Sequence, residues 1–149
     1  MYKVVSCKDY VGGFDKAITY IHNKWGSPEN LPFYYDAAKN APIEKGKIPK
    51  FFVLLKGDEI IGCYGLIAND FISRHDLTPW LSSLFIEPEK RGNRLSKLLF
   101  EHAKTQLKNS EYKRLYLTTD HDGFYEKFGW NRMEDGYDPS GEKTRIYQI

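Results

Sequence analysis

Apolar and polar residues change their period several times along this chain, and each change marks an element. Tyr2–Ser6 is short and β-prone and predicts a first strand. After the Gly12-Gly13 break, Phe14, Ala17, Ile18, Ile21 and Trp25 recur at helical spacing, so an amphipathic helix is predicted over Phe14–Trp25, ended by Gly26 and Pro28. His22 on that helix reads as a packing or surface residue rather than a ligand. Residues 27–32 read as a loop bordering a pocket, and a weaker helix follows over 33–39. Residues 42–49, with two prolines and Gly46, read as an exposed connection. Residues 51–55 and Glu59–Ile67 then predict two strands, joined as a hairpin by the tight-turn signal Lys56-Gly57-Asp58. Gly62 and Gly65 inside the second strand predict a bulge or close packing against another element.

A polar loop over 69–79, carrying Asp70, Arg74, His75 and Asp76, leads into the stretch that organises the chain. Trp80–Ile86 predicts a strand, Pro88 stops it, and a polar turn over 89–93 enters a strongly periodic helix. Leu95, Leu98, Leu99, His102, Ala103, Gln106 and Leu107 form its apolar face, with Lys97, Glu101, Lys104 and Lys108 opposite. Residues 114–118 predict a further strand. Residues 121–128 predict one or two helical turns capped by Asp120 or Asp122 and stopped by Gly129. Two last strands, over 130–134 and 143–149, flank a turn over 137–141. The order β-α-α-β-β-β-α-β-α-β-β implies one mixed α/β sheet with helices on both faces.

Strand, tight turn and helix together make an anion-binding geometry. The first helical turn has amide N–H groups without intrahelical partners, and the macrodipole adds about half a positive charge there. Lys90, Arg91 and Arg94 add formal charge at the same place. Gly92 suits a left-handed conformation or close backbone approach, and Asn93 suits αL or a helix cap. An ordinary strand-to-helix connection with a solvated basic turn accounts for the same residues. The stretch is neither a P-loop nor a dinucleotide fingerprint, since no Gly-Lys-Ser/Thr and no G-x-G-x-x-G is present.

Composition narrows the picture. The chain of 149 residues is long enough for one domain with a substantial core, and its net charge of +2 is too small to argue for nucleic acid. An aromatic content of 15% predicts a large core or an aromatic-lined cleft. Cys7 and Cys63 fit no metal-ligand spacing, so no metal site is expected, buried thiols are, and a reducing, cytoplasmic location is the simpler reading. No apolar run approaches the ~18 residues of a membrane span.

Two stretches, PWLSSLFIEPEKRGNRLSKLL and LYLTTDHDGFYEKFGW, resemble the GNAT superfamily of acetyl-CoA-dependent N-acetyltransferases. The family's fourth strand precedes a turn of the form Arg/Gln-x-x-Gly-x-Gly/Ala, matched by Arg91-Gly92-Asn93-Arg94-Leu95-Ser96. Its later Phe-Tyr-x-x-x-Gly-Phe is matched by Phe124 to Trp130. The resemblance implies a single-domain, mostly antiparallel sheet, with the pantetheine arm of acetyl-CoA on Leu84, Phe85 and Ile86. It places the pyrophosphate on the amides of Arg91, Gly92, Asn93, Arg94, Leu95 and Ser96. Tyr125 matches the family's tyrosine that protonates the departing thiolate. Arg94 and Ser96 depart from the family pattern, which has small residues there, and His121 stands where many members have a coenzyme-contacting asparagine.

The resemblance also implies direct attack by an acceptor amine. An ammonium titrates near 10.4, so a base is needed. Trp80 and Ser82 match strand positions where some members carry an acid or histidine, and neither is a base. Ser82 is expected to order a water, with His75, Asp70 or His121 collecting the proton. Trp80, Trp25, Tyr34 and Tyr35 are expected to line the acceptor pocket. The acceptor is expected to be a small-molecule or peptide primary amine, with no nucleic-acid or membrane partner, and the resemblance implies a homodimer. The alternative is a non-catalytic acyl-CoA-binding sensor or interaction module.

Overall fold

The computed structural model describes residues 1–149. Seven strands form one sheet: β1 (Tyr2–Ser6), β2 (Lys50–Lys56), β3 (Glu59–Ile67), β4 (Trp80–Ile86), β5 (Tyr116–Thr119), β6 (Asn131–Tyr137) and β7 (Lys143–Gln148). Their spatial order is β1-β2-β3-β4-β5-β7-β6, and every neighbouring pair is antiparallel except β4 and β5. Three helices cover the sheet: α1 (Phe14–Trp25), α2 (Leu31–Lys39) and α3 (Leu95–Leu107).

Strand β2 reads as a continuous apolar run because it is buried on both faces. By the period-two rule Phe52 and Leu54 pack with Leu99, Phe100 and Ala103 of α3, whereas Phe51, Val53 and Leu55 pack with Ala17, Ile18 and Ile21 of α1. Fully burying each such side chain contributes about 1.5–3 kcal/mol, so these two layers carry most of the fold's stability. On α3 the buried stripe is Leu95, Leu99, Phe100, Ala103 and Leu107. Phe100 therefore takes the place expected for Leu98, which is 37% exposed. His102 is half-buried, with Nδ1 2.7 Å from the Tyr64 hydroxyl.

The hairpin turn closes as expected, with Lys56 opposite Glu59 and Gly57 at φ 61°. The bulge suggested by the glycines of β3 lies beside Gly62, where Leu54 and Leu55 of β2 face Gly62 and Ile60 and leave Ile61 as the extra residue, and a second bulge lies on β4. Cys63 faces Phe85 and Gly65 faces Ser82, so β4 carries one residue more than β3 across this interval. Ser83 there adopts φ 54°, and Cys63 Sγ donates to its carbonyl at 3.2 Å. Gly62 serves the close-packing half of the expectation, since a Cβ there would sit 2.7 Å from the Phe85 carbonyl oxygen.

The expected second helix starts earlier, because Pro32 fits its first turn. The helical turns expected over 121–128 contract to a 3₁₀ turn over Tyr125–Phe128 with no side-chain cap, ended by Gly129 at φ 91°. The last hairpin is longer than the alternation predicted, reaching Tyr137 and closing through Asp138, whose Oδ1 accepts from the amides of Ser140 and Glu142.

Candidate active site

A bulge bends the strand that carries it, and β4 changes course at Ser83. Before the bulge β4 meets β5 at a single register pair, Trp80 with Tyr116. Beyond it the two strands separate, and the β5-facing edge of β4 has no strand partner. The separation opens into two cavities, of about 480 and 580 Å³, which share Trp25, Leu84, His121 and Tyr125. Through these shared residues they form one groove.

The first cavity runs from Leu84, Phe85 and Ile86 to the start of α3. Gly92 sits at φ 87°, and a Cβ there would meet nothing within 4 Å, so the turn is open on that side. The residue preceding the helix is Arg94, in the left-handed region at φ 56°, and no side chain caps the first turn. The amides of Leu95 and Ser96 therefore have no intrahelical partner, whereas that of Lys97 donates to the Arg94 carbonyl at 3.2 Å. Asn93 corrects the expectation: it is neither αL nor a cap, and its Nδ2 donates back to the Lys90 carbonyl at 3.0 Å. Arg91 donates through Nε to the Ile86 carbonyl at 2.8 Å and lies over the Phe85 ring, while Arg94 lies over Phe128. Arg91, Arg94 and Lys127 line this cavity and no carboxylate does. It is built for an anion with an extended apolar portion.

Tyr125 stands where the cavities meet. Phe100, Phe124, Trp130 and Tyr147 pack around its ring at centroid distances of 5.9, 5.0, 6.2 and 5.8 Å. Burial raises its pKa and the Thr119 hydroxyl opposes that in part, so the phenol holds its proton at neutral pH. His121 is exposed at the rim and lines both cavities.

The second cavity has a different character. Ser82 lies at its wall, 6% exposed, with a hydroxyl that has no hydrogen-bond partner in the fold. Tyr34 and the half-exposed Trp25 cover it from the helices, and Phe71, 63% exposed, lies at its edge. Asp70, Asp120, Asp138 and Glu142 line it, against Lys143. Burial lifts the Asp70 carboxyl to about 7.

Two expected lining residues lie elsewhere. Trp80 is fully buried in a small cluster with Ile72, Tyr116 and Ile146, its Nε1 donating to the Leu77 carbonyl at 2.8 Å. The alternation places its side chain on the face of Ser82 but one pair nearer the closed end, where β4 and β5 still touch. Tyr35 packs edge-on against Phe14 at 5.2 Å, on the side of α2 away from the groove. His75 is exposed on the 69–79 loop and lines neither cavity. Conversely, Thr119, Phe71 and the β6–β7 turn enter the site without having been anticipated. Phe71 adjoins Asp70 in sequence and was readable as an apolar residue stranded in a polar loop. The β6–β7 turn arrives only through the sheet order.

Both cysteines are buried, and burial pushes the Cys7 thiol up to about 12 and raises Cys63 as well. Neither offers a thiolate to the groove.

A model of the acetyltransferase (GNAT) family matches residues 16–130. No curated protein sequence matches the chain. Among solved structures, an aminoglycoside 6'-N-acetyltransferase complexed with coenzyme A superposes with a TM-score of 0.70 at 12% identity, covering 99% of this chain and 96% of that one. A GNAT family acetyltransferase from Elizabethkingia anophelis with acetyl-CoA bound gives 0.64 at 14% identity, covering 99% and 97%. An acetyltransferase from Streptococcus agalactiae gives 0.66 at 22% identity, covering 99% and 96%.

Proposed function

The chain belongs to the GNAT acetyltransferase family, and from that premise we propose that it transfers the acetyl group of acetyl-CoA to a primary amine of a small-molecule or peptide acceptor, directly and without an acyl-enzyme. The observation that carries the reading is the groove itself, which joins a cationic cavity at an uncapped helix start to an acidic one, with a buried phenol at the junction.

The residues present fit the coenzyme. When bound, acetyl-CoA supplies an acetyl group activated as a thioester. Leu84, Phe85 and Ile86 offer a strand edge to its pantetheine arm, and the amides from Gly92 to Ser96 offer donors to its pyrophosphate, the Arg91 amide being taken by the Pro88 carbonyl at 3.2 Å. The guanidinium of Arg94 stands ready to pair with a phosphate oxygen, which answers the loss of a small residue at that position. His121 borders the coenzyme side at the rim.

Tyr125 holds the proton that the sulfur takes as the C–S bond breaks. An ordinary phenol near 10 and a thiol near 8.5 make that transfer uphill by about 2 kcal/mol. Burial raises the phenol further, and the same desolvation acts on a thiolate formed beside it, so the gap does not open by the whole shift. Ser82 orients the acceptor or a water through its free hydroxyl, and Trp25 and Tyr34 shape the acceptor side. The lack of an accessible thiolate supports direct attack.

The test is thiol release from acetyl-CoA in the presence of a panel of primary amines: methylamine, 1,4-diaminobutane, lysine, a lysine-containing peptide and kanamycin. Amine-dependent release by wild type, confirmed as N-acetyl product by mass, is the expected result. Coenzyme binding with no release for any amine points instead to an acyl-CoA-binding module.

A further inference from the structure

Resting on that reading, we infer that Asp70 is the general base of this enzyme, its carboxylate taking the proton of the acceptor ammonium in the acidic cavity beside Ser82. The inference begins from an absence of partners. The other carboxylates that are not exposed all have partners: Glu87 pairs with Lys24, Asp135 with Arg132, and Asp138 accepts from the Ser140 hydroxyl. Asp70 is half-buried and has neither a hydrogen bond nor an ion pair, and burial is the one influence on its titration. A carboxyl group held out of water without a partner is unfavourable for the fold. A cationic ligand in the adjoining cavity is the partner it lacks.

The chain holds Asp70 in place on a pinned turn. Asn69 closes residues 69–72 from both sides, its Nδ2 donating to the Ile72 carbonyl at 2.9 Å and its Oδ1 accepting from the Ile72 amide at 3.1 Å. Ile72 is buried, and Ser73 exchanges hydrogen bonds with Tyr137 of β6, both at 2.9 Å. Arg74 ties the loop to Glu134. Asp70 therefore projects from a fixed anchor into the cavity that Ser82 and Tyr125 share with it. A proton acceptor must be positioned first and titrate suitably second, and both conditions are met.

The charged and titratable groups facing Asp70 across the cavity are Tyr34 of α2, Asp120 and His121 after β5, and Tyr125. Asp138, Glu142 and Lys143 face it from the β6–β7 turn. The acids among them raise an acceptor ammonium's affinity for the cavity. The Asp70 charge in turn holds the Tyr34 phenol up, after burial.

The protons balance. Asp70 takes one proton from the ammonium, and the freed nitrogen forms the new C–N bond. Tyr125 gives its proton to sulfur as the C–S bond breaks and regains one from the attacking nitrogen. The net proton leaves from Asp70 to water.

Asp70→Asn tests this in five measurements. With whichever panel amine wild type acetylates best, the variant should lose at least 100-fold in kcat, the scale of a general base. The wild-type pH profile should rise through an ionisation near 7, and that limb should be missing from the variant. 2,2,2-Trifluoroethylamine, a primary amine already largely neutral at pH 7, should be acetylated by the two proteins within about tenfold of each other. The thermal shift given by acetyl-CoA should be unchanged. A raised carboxyl also weakens the native state as pH rises from the ordinary carboxylate range through 7. The variant should therefore melt above wild type at pH 8, and the difference should vanish below about pH 4.

Activity within threefold of wild type with the same pH limb overturns the assignment while leaving the acetyltransferase reading intact. Equal losses with trifluoroethylamine and with the cationic amine, or loss of the acetyl-CoA shift, also overturn it, since either means that Asp70 supports structure. Failure of wild type to acetylate any amine overturns it together with the amine chemistry.

Discussion

In the proposed mechanism Tyr125 is the residue on which acid catalysis turns, and its surroundings separate two roles that a sequence motif cannot. It is a core aromatic by packing, touching Phe100, Phe124, Trp130 and Tyr147, and a groove residue by position. Tyr125→Phe keeps the ring and removes the proton. Turnover should fall by 10²–10³, the range of general acid catalysis, while acetyl-CoA affinity and melting temperature hold nearly constant. Unchanged turnover would reduce Tyr125 to a packing residue. His102 illustrates a titrating residue outside the groove. Burial, helped by Lys45, lowers it to about 4, so it is neutral at pH 7 beside Tyr64. A depressed group of this kind contributes stability that is complete above its unfolded pKa near 6.5 and is lost as pH falls toward 4. His102→Gln removes that titration. The melting-temperature gap between wild type and variant should accordingly shrink across pH 6.5 to 4, and a gap independent of pH would count against the assignment.

The central element is β4, because its bulge at Ser83 decides where the sheet opens. Gly62 on β3 keeps the two strands close at the Phe85 carbonyl. Gly62→Ala should force that contact apart, lowering stability by roughly 1–3 kcal/mol, the overpacking range, and loosening Phe85 against the coenzyme. A variant with wild-type melting temperature and coenzyme affinity would show that β4 does not depend on this approach. At the start of α3, Arg94 holds a left-handed conformation that costs a non-glycine residue roughly 1–2 kcal/mol, partly offset by the smaller chain entropy that arginine loses on folding. Arg94→Gly should thus raise the melting temperature of the free protein slightly and weaken acetyl-CoA binding through loss of a charge. Tighter binding would mean that Arg94 only obstructs the turn. Elements with strong local signals were legible in the sequence: α1 and α3 from their apolar spacing, the β2–β3 hairpin from Gly57-Asp58, and β4 from its run up to Pro88. Elements set by distant contacts were not. The length of β6 depends on pairing with β7, and Leu98 yielded its core place to Phe100 because α3 is rotated toward Phe128 and Trp130.

On the scale of the whole molecule, the sheet divides the groove into ends of opposite charge. Arg91, Arg94 and Lys127 stand at the end near α3, and Asp70, Asp120, Asp138 and Glu142 stand at the other. In the proposed reaction an anionic donor is drawn to the first end and a cationic acceptor to the second, and the two meet at Tyr125. The residues of the cationic end were readable from the chain because strand, turn and helix are contiguous there. The acidic end assembles α1, α2, the 69–79 loop, β5 and the β6–β7 turn, and only the fold brings these together. Trp80 and Tyr35 were misplaced for that reason, since aromatic character alone does not tell a groove from a core. No helix is long and apolar enough to cross a membrane.

The measurement that bears most directly on the account is thermal unfolding of the protein with and without saturating acetyl-CoA, with AMP at the same concentration as a phosphate control. A ligand at ~100 times its Kd adds about 2.7 kcal/mol to stability, which for a domain of this size is a rise of roughly 5–10 °C. The account predicts such a rise with acetyl-CoA and little or none with AMP. An unchanged midpoint with acetyl-CoA would contradict it, because the open turn at Gly92 and the free amides of α3 would then not be a coenzyme cradle.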